Sequence, residues 1–253
     1  MGILRAVYRL TAVTGWFVFL SLWVWMFNRK KGVEGGRKAA EYTRLWARGA
    51  LRIINMELTV YGNPGKFSGG LVVSNHQSYL DVLIHGSVFP LRFAPKIEMK
   101  SWPFIGFMTG LSRPVWIDRS SRQKSRESAE AMTETMRGGI PMIVYAEGTT
   151  TDGQHGLLPF KSTPFEAAAE AGLPIQPVLT FYHPVPGGKF SLSWFGHAKL
   201  LPHVWKLVQL KHIRADLHVM EPVMPLPGEE RKALAVRIHD MMESEYWRIR
   251  NHE

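Results

Sequence analysis

An uncharged apolar run occupies residues 10–27 and is followed at once by a basic segment that begins at residue 28. As a helix with a rise of about 1.5 Å per residue it is about 27 Å long, close to the roughly 30 Å hydrocarbon core of a bilayer. Trp16, Trp23 and Trp25 are placed to lie near a membrane interface. Basic residues are more numerous after the run than before it, where Arg5 and Arg9 stand, so the rest of the chain is expected on the cytoplasmic face.

Three alternatives apply to this run. A cleaved signal peptide is disfavoured because its apolar region is shorter and a small-residue cleavage site follows it. A buried core helix is the second alternative. If the run does meet a membrane, it either spans the bilayer or enters a single leaflet, and the pattern does not separate these two.

A second helix is predicted over residues 36–55. Large apolar side chains and one glycine recur on one face of it, and basic residues populate much of the remainder. The apolar face comprises Tyr42, Leu45, Trp46, Gly49, Ile53 and Ile54. Two interpretations stay open: an interfacial helix on anionic lipid, or a helix packed on the following domain, with Gly49 allowing close approach.

The remaining chain alternates short apolar runs with longer amphipathic ones. Strands are predicted near residues 56–61, 71–74, 91–95, 115–117, 141–146, 174–181, 190–195 and 215–219, and helices near 78–88, 125–137, 164–171 and 228–249. This alternation predicts an α/β fold, a mixed, mostly parallel sheet flanked by helices, behind an N-terminal membrane-binding helical pair. The predicted boundary separates residues 1–55 from a catalytic domain at 56–253.

Charge and composition narrow the possible functions. Among 253 residues, Lys and Arg number 31 against 21 Asp and Glu, a net charge of +10, which favours anionic partners. The chain has no cysteine, which excludes disulfides, thiolate metal sites and cysteine nucleophiles. A mean hydropathy of −0.09 excludes a multi-span membrane protein. Nucleic acid is not an expected partner because the aromatic-basic motifs of common binding modules are missing, and no Gly-x-Ser-x-Gly elbow of a serine hydrolase occurs.

The segment Asn75–Asp81 carries the candidate chemistry. A buried strand delivers His76 to its carboxyl end, where ligands bind in open α/β sheets. Ser78 is predicted to cap the next helix, which places Asp81 in the first turn, within reach of His76. An ionised carboxylate there fixes the imidazole tautomer and leaves the other nitrogen as a general base for a hydroxyl. The alternative is a helix cap beside a surface histidine. No metal site is predicted, because no further ligands occur at a familiar spacing.

The order Asn-His-x-x-x-x-Asp resembles the first motif of the glycerophospholipid acyltransferase family, which includes the lysophosphatidic acid acyltransferases. Four further segments resemble that family's later motifs and occur in its order: residues 96–98, 115–119, 145–150 and 173–178. The resemblance implies transfer of an acyl group from a thioester to the free hydroxyl of a lysolipid, most directly 1-acylglycerol-3-phosphate. His76 is then the base and Asp81 its orienting carboxylate.

The resemblance also implies the surroundings of that base. Residues implied to bind substrate are Asn75, Lys96, Arg119, Glu147, Gly148, Thr149 and Thr150, while Pro174 and Pro177 shape an acyl pocket or serve the structure. Acyl carrier protein or coenzyme A is the implied thioester carrier, with no other cofactor. The implied partners are the membrane bilayer and the lysolipid, at the cytoplasmic face of the inner membrane. From the residues alone, 147–149 also fits a plain turn, and Arg119 and Lys96 also fit a solvated basic surface.

One departure from the family pattern concerns the acceptor. Its third motif usually ends in Arg, whereas this chain has Thr150, which carries no charge. Either Arg119, Lys96 or Lys161 compensates, or the acceptor is a lyso-ornithine lipid or another lyso-aminolipid. A non-catalytic basic protein of the membrane surface is the alternative from a different class. His85 and the later histidines have no predicted partner and are interpreted as structural or surface residues.

Overall fold

The computed structural model describes residues 1–27, 32–102, 105–188 and 190–252. The basic residues Arg29, Lys30 and Lys31 lie outside this part. The helices are α1 (Gly2–Phe27), α2 (Gly32–Ile53), α3 (Leu80–Val88), α4 (Ile105–Leu111), α5 (Arg122–Arg137), α6 (Glu166–Ala171), α7 (Leu200–Leu207) and α8 (Arg231–Arg250). The strands are β1 (Met56–Tyr61), β2 (Leu71–Ser74), β3 (Arg92–Phe93), β4 (Met142–Tyr145), β5 (Ile175–Tyr182) and β6 (Ile213–Val219).

The described strands form one sheet in the order β1-β6-β5-β2-β4-β3. β2 runs parallel to β4 and β5, β3 runs parallel to β4, and β1 runs parallel to β6; only the β5–β6 pair is antiparallel. The mixed, mostly parallel sheet predicted from the alternation is therefore confirmed. The carboxyl ends of β2, β3, β4 and β5 share one edge, and Ser74 lies opposite both Tyr145 and Val178.

Helices cover both faces of this sheet. Alternate residues of β2 point to opposite faces, as the period of a strand requires. Leu71 and Val73 pack in the core layer that contains α8, whereas Val72 packs in the layer with α3. All four residues of β2 are buried, and the first three, Leu71, Val72 and Val73, are apolar, as expected of a strand covered on both faces.

α1 begins at Gly2, well before the apolar run. Arg5 and Arg9 therefore lie within α1, and their guanidinium groups bind the chain after α7. Arg5 Nη1 donates to the Gln209 carbonyl (2.6 Å), and Arg9 Nη1 donates to the Leu210 carbonyl (2.6 Å). Within the described residues, this is the one helix long and apolar enough to cross a membrane. Much of its surface is apolar and exposed: Ile3, Leu4, Val7, Tyr8, Leu10, Val18, Phe19, Leu22, Trp23, Met26 and Phe27.

The most deeply buried side of α2 differs from the predicted face, of which Ile54 is buried and Trp46 and Gly49 pack against α1. Its buried side consists mainly of small residues, Gly35, Gly36, Ala39, Ala40, Thr43, Ala47 and Ala50, with Leu51, whereas Leu45 is exposed. Small side chains let α2 approach α3 closely, so the large apolar residues do not share that interface. Gly49 instead accommodates α1, because a Cβ at this position would lie 2.1 Å from Nε1 of Trp16.

Candidate active site

The structure brings His76 and Asp81 into contact at the carboxyl end of β2. His76 lies in the extended turn between β2 and α3, and its Nδ1 is 2.7 Å from Oδ2 of Asp81. Asp81 is fully buried, while the His76 side chain retains 21% of its exposure. One partner is therefore fixed inside the protein, and the other reaches the surface.

The predicted Ser78 cap is wrong. α3 has Tyr79 at its N-cap position, and Ser78 Oγ is buried without a hydrogen-bond partner. The Asp81 carboxylate, in the first turn of α3, instead binds the turn that precedes the helix. Its Oδ2 accepts the N–H groups of Gln77 (2.7 Å) and Ser78 (3.0 Å). The carboxylate that holds the imidazole thus also holds the turn that carries it.

Asp81 is held in its ionised form. Burial alone would raise its pKa, but the hydrogen bond and charge of His76, the charge of His85 and the Tyr182 hydroxyl bring the pKa below its usual value. That hydroxyl donates to Oδ1. Because an ionised carboxylate only accepts hydrogen bonds, Nδ1 of His76 carries the proton and Nε2 presents a lone pair. This is the arrangement of a general base.

A second histidine, His85, lies in the layer beneath the pair. The ring of Tyr145 stacks on that of His76, with centroids 3.9 Å apart and planes 14° from parallel. The Tyr145 hydroxyl is 3.1 Å from Nδ1 of His85, whose Nε2 is 3.0 Å from Oγ1 of Thr180. Burial lowers the pKa of His85 to about 4, so its ring is neutral at pH 7. His85 thus contacts the Tyr145 side chain, whose ring stacks on the imidazole of His76.

The sequence analysis did not assign His85 to the site. A signal was available, because His85 follows Asp81 by four residues and therefore shares its helix face.

Asn75 and Glu147 are buried and bind backbone groups rather than lining an open pocket. Glu147 Oε1 accepts the N–H of His76 (2.8 Å), and Oε2 accepts that of Leu158 (3.0 Å). Burial raises the pKa of Glu147, an effect that these two N–H groups oppose. The amide of Asn75 exchanges two hydrogen bonds with the backbone of Thr180 (3.0 and 2.8 Å). Both residues therefore fix the position of the turn that carries His76.

The loop after β4 forms the neighbouring part of the site. Gly148 has φ = +74°, a conformation that favours glycine. Lys161 lies directly over it, since a Cβ at Gly148 would be 2.5 Å from Nζ of Lys161. Gly148 and Thr149 are exposed and Thr150 is half-buried, while the N–H of Thr151 donates to the His76 carbonyl (2.9 Å). This loop and the His76 turn are thus joined directly.

Lys96 and Arg119 lie further along the same edge, beyond β4. The predicted strand at 115–117 is reduced to one bridge, in which Ile117 pairs with Lys96 in parallel. Lys96 and Arg119 are both exposed. The pairing brings together two segments that are 21 residues apart in the chain, and it places both cations at the sheet edge where His76 lies.

The two prolines occupy structural positions. Pro177 is buried inside β5, opposite Val73. Pro174 precedes β5, and its carbonyl accepts the N–H of Leu71 (2.9 Å). Pro174 therefore lies at the amino end of the parallel strands, the edge opposite His76, which favours the structural alternative over a pocket role. In the described part of the chain, no three His, Asp or Glu side chains come close enough to hold a metal ion.

Comparisons with known proteins show the family to which this chain is similar. The model of the family described as Acyltransferase matches residues 55–180. A 1-acyl-sn-glycerol-3-phosphate acyltransferase of Neisseria gonorrhoeae is 30% identical over 226 residues, covering 87% of this chain and 88% of the relative. A lyso-ornithine lipid O-acyltransferase of Brucella abortus (strain 2308) is 34% identical over 178 residues, covering 65% and 66%.

A solved structure shares the fold over nearly the whole chain. The crystal structure of the 1-acyl-sn-glycerophosphate (LPA) acyltransferase PlsC from Thermotoga maritima has a TM-score of 0.71 at 21% identity, covering 98% of this chain and 96% of that one. A histidine paired with a buried carboxylate at the carboxyl edge of the sheet is an arrangement suited to general-base chemistry. With the matches above, the chain belongs to the acyltransferase family and is an enzyme of the lysophosphatidic acid acyltransferase type.

Proposed function

We propose that this enzyme transfers a fatty acyl group from an acyl thioester to the free hydroxyl of a lysolipid. The observation that carries the proposal is the His76–Asp81 contact, with Nε2 of a partly exposed imidazole at the edge of the sheet. Relatives named as acylating 1-acylglycerol-3-phosphate and lyso-ornithine lipid support a lysolipid acceptor.

The reaction follows from the tautomer of His76. Nε2 removes the proton of the lysolipid hydroxyl as that oxygen attacks the thioester carbonyl carbon, which forms the new C–O bond. The C–S bond then breaks, and the leaving thiolate takes the proton from the imidazolium. Asp81 stays ionised and stabilises the imidazolium. No acyl group is attached to the enzyme, and the only thiol belongs to the donor, since the chain has no cysteine.

We take 1-acylglycerol-3-phosphate as the first acceptor. Lys161 lies over Gly148, beside the loop that contacts the His76 turn, and Arg119 and Lys96 lie on the same edge. These cations suit a phosphate group. The alternative acceptor is a lyso-ornithine lipid. Thr150 favours this alternative, because it stands where the family usually has a charged arginine. The thioester carrier is acyl carrier protein or coenzyme A, and no further cofactor is required.

We also propose that α1 lies in a single leaflet at the cytoplasmic face of the cell membrane. Its first turns are tied to the catalytic domain by Arg5 and Arg9. Further along, Trp16 packs on α2, which itself packs on α3. A helix attached to the domain from Arg5 to Trp16 cannot cross the bilayer without drawing the charged face of α2 into it.

The test measures thiol release from acyl-coenzyme A and from acyl-acyl carrier protein, with and without a lysolipid. Lysophosphatidic acid and lyso-ornithine lipid are offered separately, and the products are identified by mass. We expect thiol release only with a lysolipid, and loss of this release in His76→Ala but not in His252→Ala, an exposed control. Thiol release that no lysolipid stimulates, or a fully active His76→Ala, would contradict the proposal.

A further inference from the structure

Helix α7 exposes two large apolar side chains on one face. Leu201 is 79% exposed, and Trp205, one turn later, is 40% exposed. Phe195, in the segment before the helix, is also 40% exposed. Lys199 and Lys206 flank these side chains and are themselves exposed. We name this set, Phe195, Lys199, Leu201, Trp205 and Lys206, the α7 ridge.

The chain that follows α7 lies against the first turns of α1. The carbonyls that follow α7 bind the guanidinium groups of Arg5 and Arg9. Ile3, Leu4 and Val7 lie in these same first turns of α1, and all three are exposed. Exposed apolar side chains are therefore present on α7 and on the part of α1 that is tied to the end of α7.

α7 is also tied to the turn that carries His76. Nε2 of His203, on α7, lies 3.0 Å from the Ser191 carbonyl, so Nδ1 accepts the hydrogen bond of the Tyr79 hydroxyl (3.0 Å). Tyr79 immediately precedes α3. The N–H of Trp194, just before the ridge, donates to the Gln77 carbonyl (2.7 Å). α7 and the segment before it are thus hydrogen-bonded to two residues, Gln77 and Tyr79, that closely follow His76.

We propose that the α7 ridge is a second lipid-contacting surface, which inserts Leu201 and Trp205 into the interface of an anionic membrane. This inference rests on the proposed membrane position of α1. Tryptophan and leucine with flanking lysines are the composition of an interfacial element, in which the lysines meet lipid phosphates. The attachment of α1, the proposed membrane helix, to the end of α7 favours lipid over a protein partner. The contact holds the catalytic turn at the surface from which the lysolipid acceptor comes.

The absence of cysteine from the sequence permits a site-specific test. Three single-cysteine variants, Leu201→Cys, Val7→Cys and Val236→Cys, are labelled with an environment-sensitive fluorophore. Val7 reports on α1, and Val236, which is 60% exposed on α8, is the matched control. α8 packs in the core layer on the opposite face of the sheet from the end of α7. Each protein is mixed with vesicles of phosphatidylglycerol and phosphatidylethanolamine.

We expect a blue shift and stronger emission at Leu201→Cys and Val7→Cys, with no change at Val236→Cys. A response at Val7→Cys alone would overturn the second contact and leave the membrane position of α1 intact. No change in fluorescence at either Leu201→Cys or Val7→Cys would overturn both the proposed membrane position of α1 and this inference. Equal responses at all three positions indicate non-specific adsorption and would also overturn it.

A second variant set tests the function of the ridge. Leu201→Glu/Trp205→Glu should bind vesicles at least about tenfold more weakly, because it removes two apolar side chains from the interface. Its activity on lysolipid dispersed in detergent should match the parent. Lys199→Gln and Lys206→Gln should each weaken binding to anionic vesicles about fivefold at low salt. Unchanged vesicle binding with impaired use of acyl-acyl carrier protein would show a protein-docking surface and contradict the proposal.

Discussion

Replacing Asp81 with asparagine separates the charge of this residue from its hydrogen bonds. Oδ2 accepts from Nδ1 of His76 and from two backbone N–H groups, whereas Oδ1 accepts from the Tyr182 hydroxyl. An amide nitrogen cannot accept these N–H groups, so the amide oxygen of the new side chain must take the place of Oδ2. Its NH2 group then faces the Tyr182 hydroxyl, which can accept. Asp81→Asn should therefore keep both the turn and the His76 tautomer.

What the substitution removes is the stabilisation of the imidazolium. Proton transfer places a positive charge on a ring whose Nδ1 is 2.7 Å from the carboxylate oxygen, so the charge centres are about 4 Å apart. With an effective dielectric constant of about 20, the attraction is about 4 kcal/mol. If it is realised mainly in the transition state, kcat falls about 1,000-fold while KM changes little.

The assay is steady-state thiol release with saturating lysolipid, on proteins matched by circular dichroism. Tyr182→Phe is the control, because it removes one hydrogen bond from the carboxylate and keeps its charge; kcat should fall no more than about tenfold. A kcat of Asp81→Asn within tenfold of the parent would refute the electrostatic role of Asp81. An equal loss in Tyr182→Phe would indicate that positioning, rather than charge, dominates.

The remaining predictions concern the support of the site. Because the folded-state pKa of Asp81 lies below its usual value, ionisation of Asp81 stabilises the fold above about pH 3.9. Urea unfolding should show that this contribution to the free energy of unfolding disappears as the pH falls through the folded-state pKa. A difference in free energy of unfolding between the parent and Asp81→Asn that does not depend on pH would contradict this prediction. Glu147→Gln leaves one backbone N–H facing an amide NH2 and should lower the free energy of unfolding by about 1–3 kcal/mol, whereas an unchanged urea midpoint would contradict the two-acceptor geometry. Tyr145→Phe keeps the ring stack and should retain kcat within about tenfold, whereas Tyr145→Leu removes the stack and should lose more; equal kcat values would rule out a role for stacking. At Gly148 φ is +74°, and the Cβ of Gly148→Ala would displace the flexible end of Lys161. This substitution should lower the free energy of unfolding by about 1–2 kcal/mol and raise KM for lysophosphatidic acid. An unchanged KM would show that Lys161 does not bind the acceptor.

The sequence predicted the fold class and the catalytic contact because both depend on local patterns. β2 begins with three apolar residues, Leu71 to Val73, and the spacing of His76 and Asp81 across a strand end and a helix start leaves few other arrangements. The motif order likewise indicated the acyltransferase family, which the comparisons confirm.

What the sequence could not predict depends on long-range packing. The face of α2 that meets α3 is made of small residues, and only the approach of the two helices shows why. Glu147 was expected to bind the acceptor, and the structure shows that its carboxylate accepts hydrogen bonds from the N–H groups of His76 and Leu158. The hydrogen bonds of His85 could not be predicted, because its partners Tyr145 and Thr180 lie on β4 and β5, far from it in the sequence.

The central claim is that the imidazole of His76 removes the proton of the acceptor hydroxyl without an acyl-enzyme intermediate. The most direct test is the single-turnover rate of acyl transfer by His76→Ala, with donor and lysolipid both saturating and folding verified by circular dichroism. We predict a fall of at least about 100-fold relative to the parent, the usual contribution of a general base. A rate within tenfold of the parent would contradict the account.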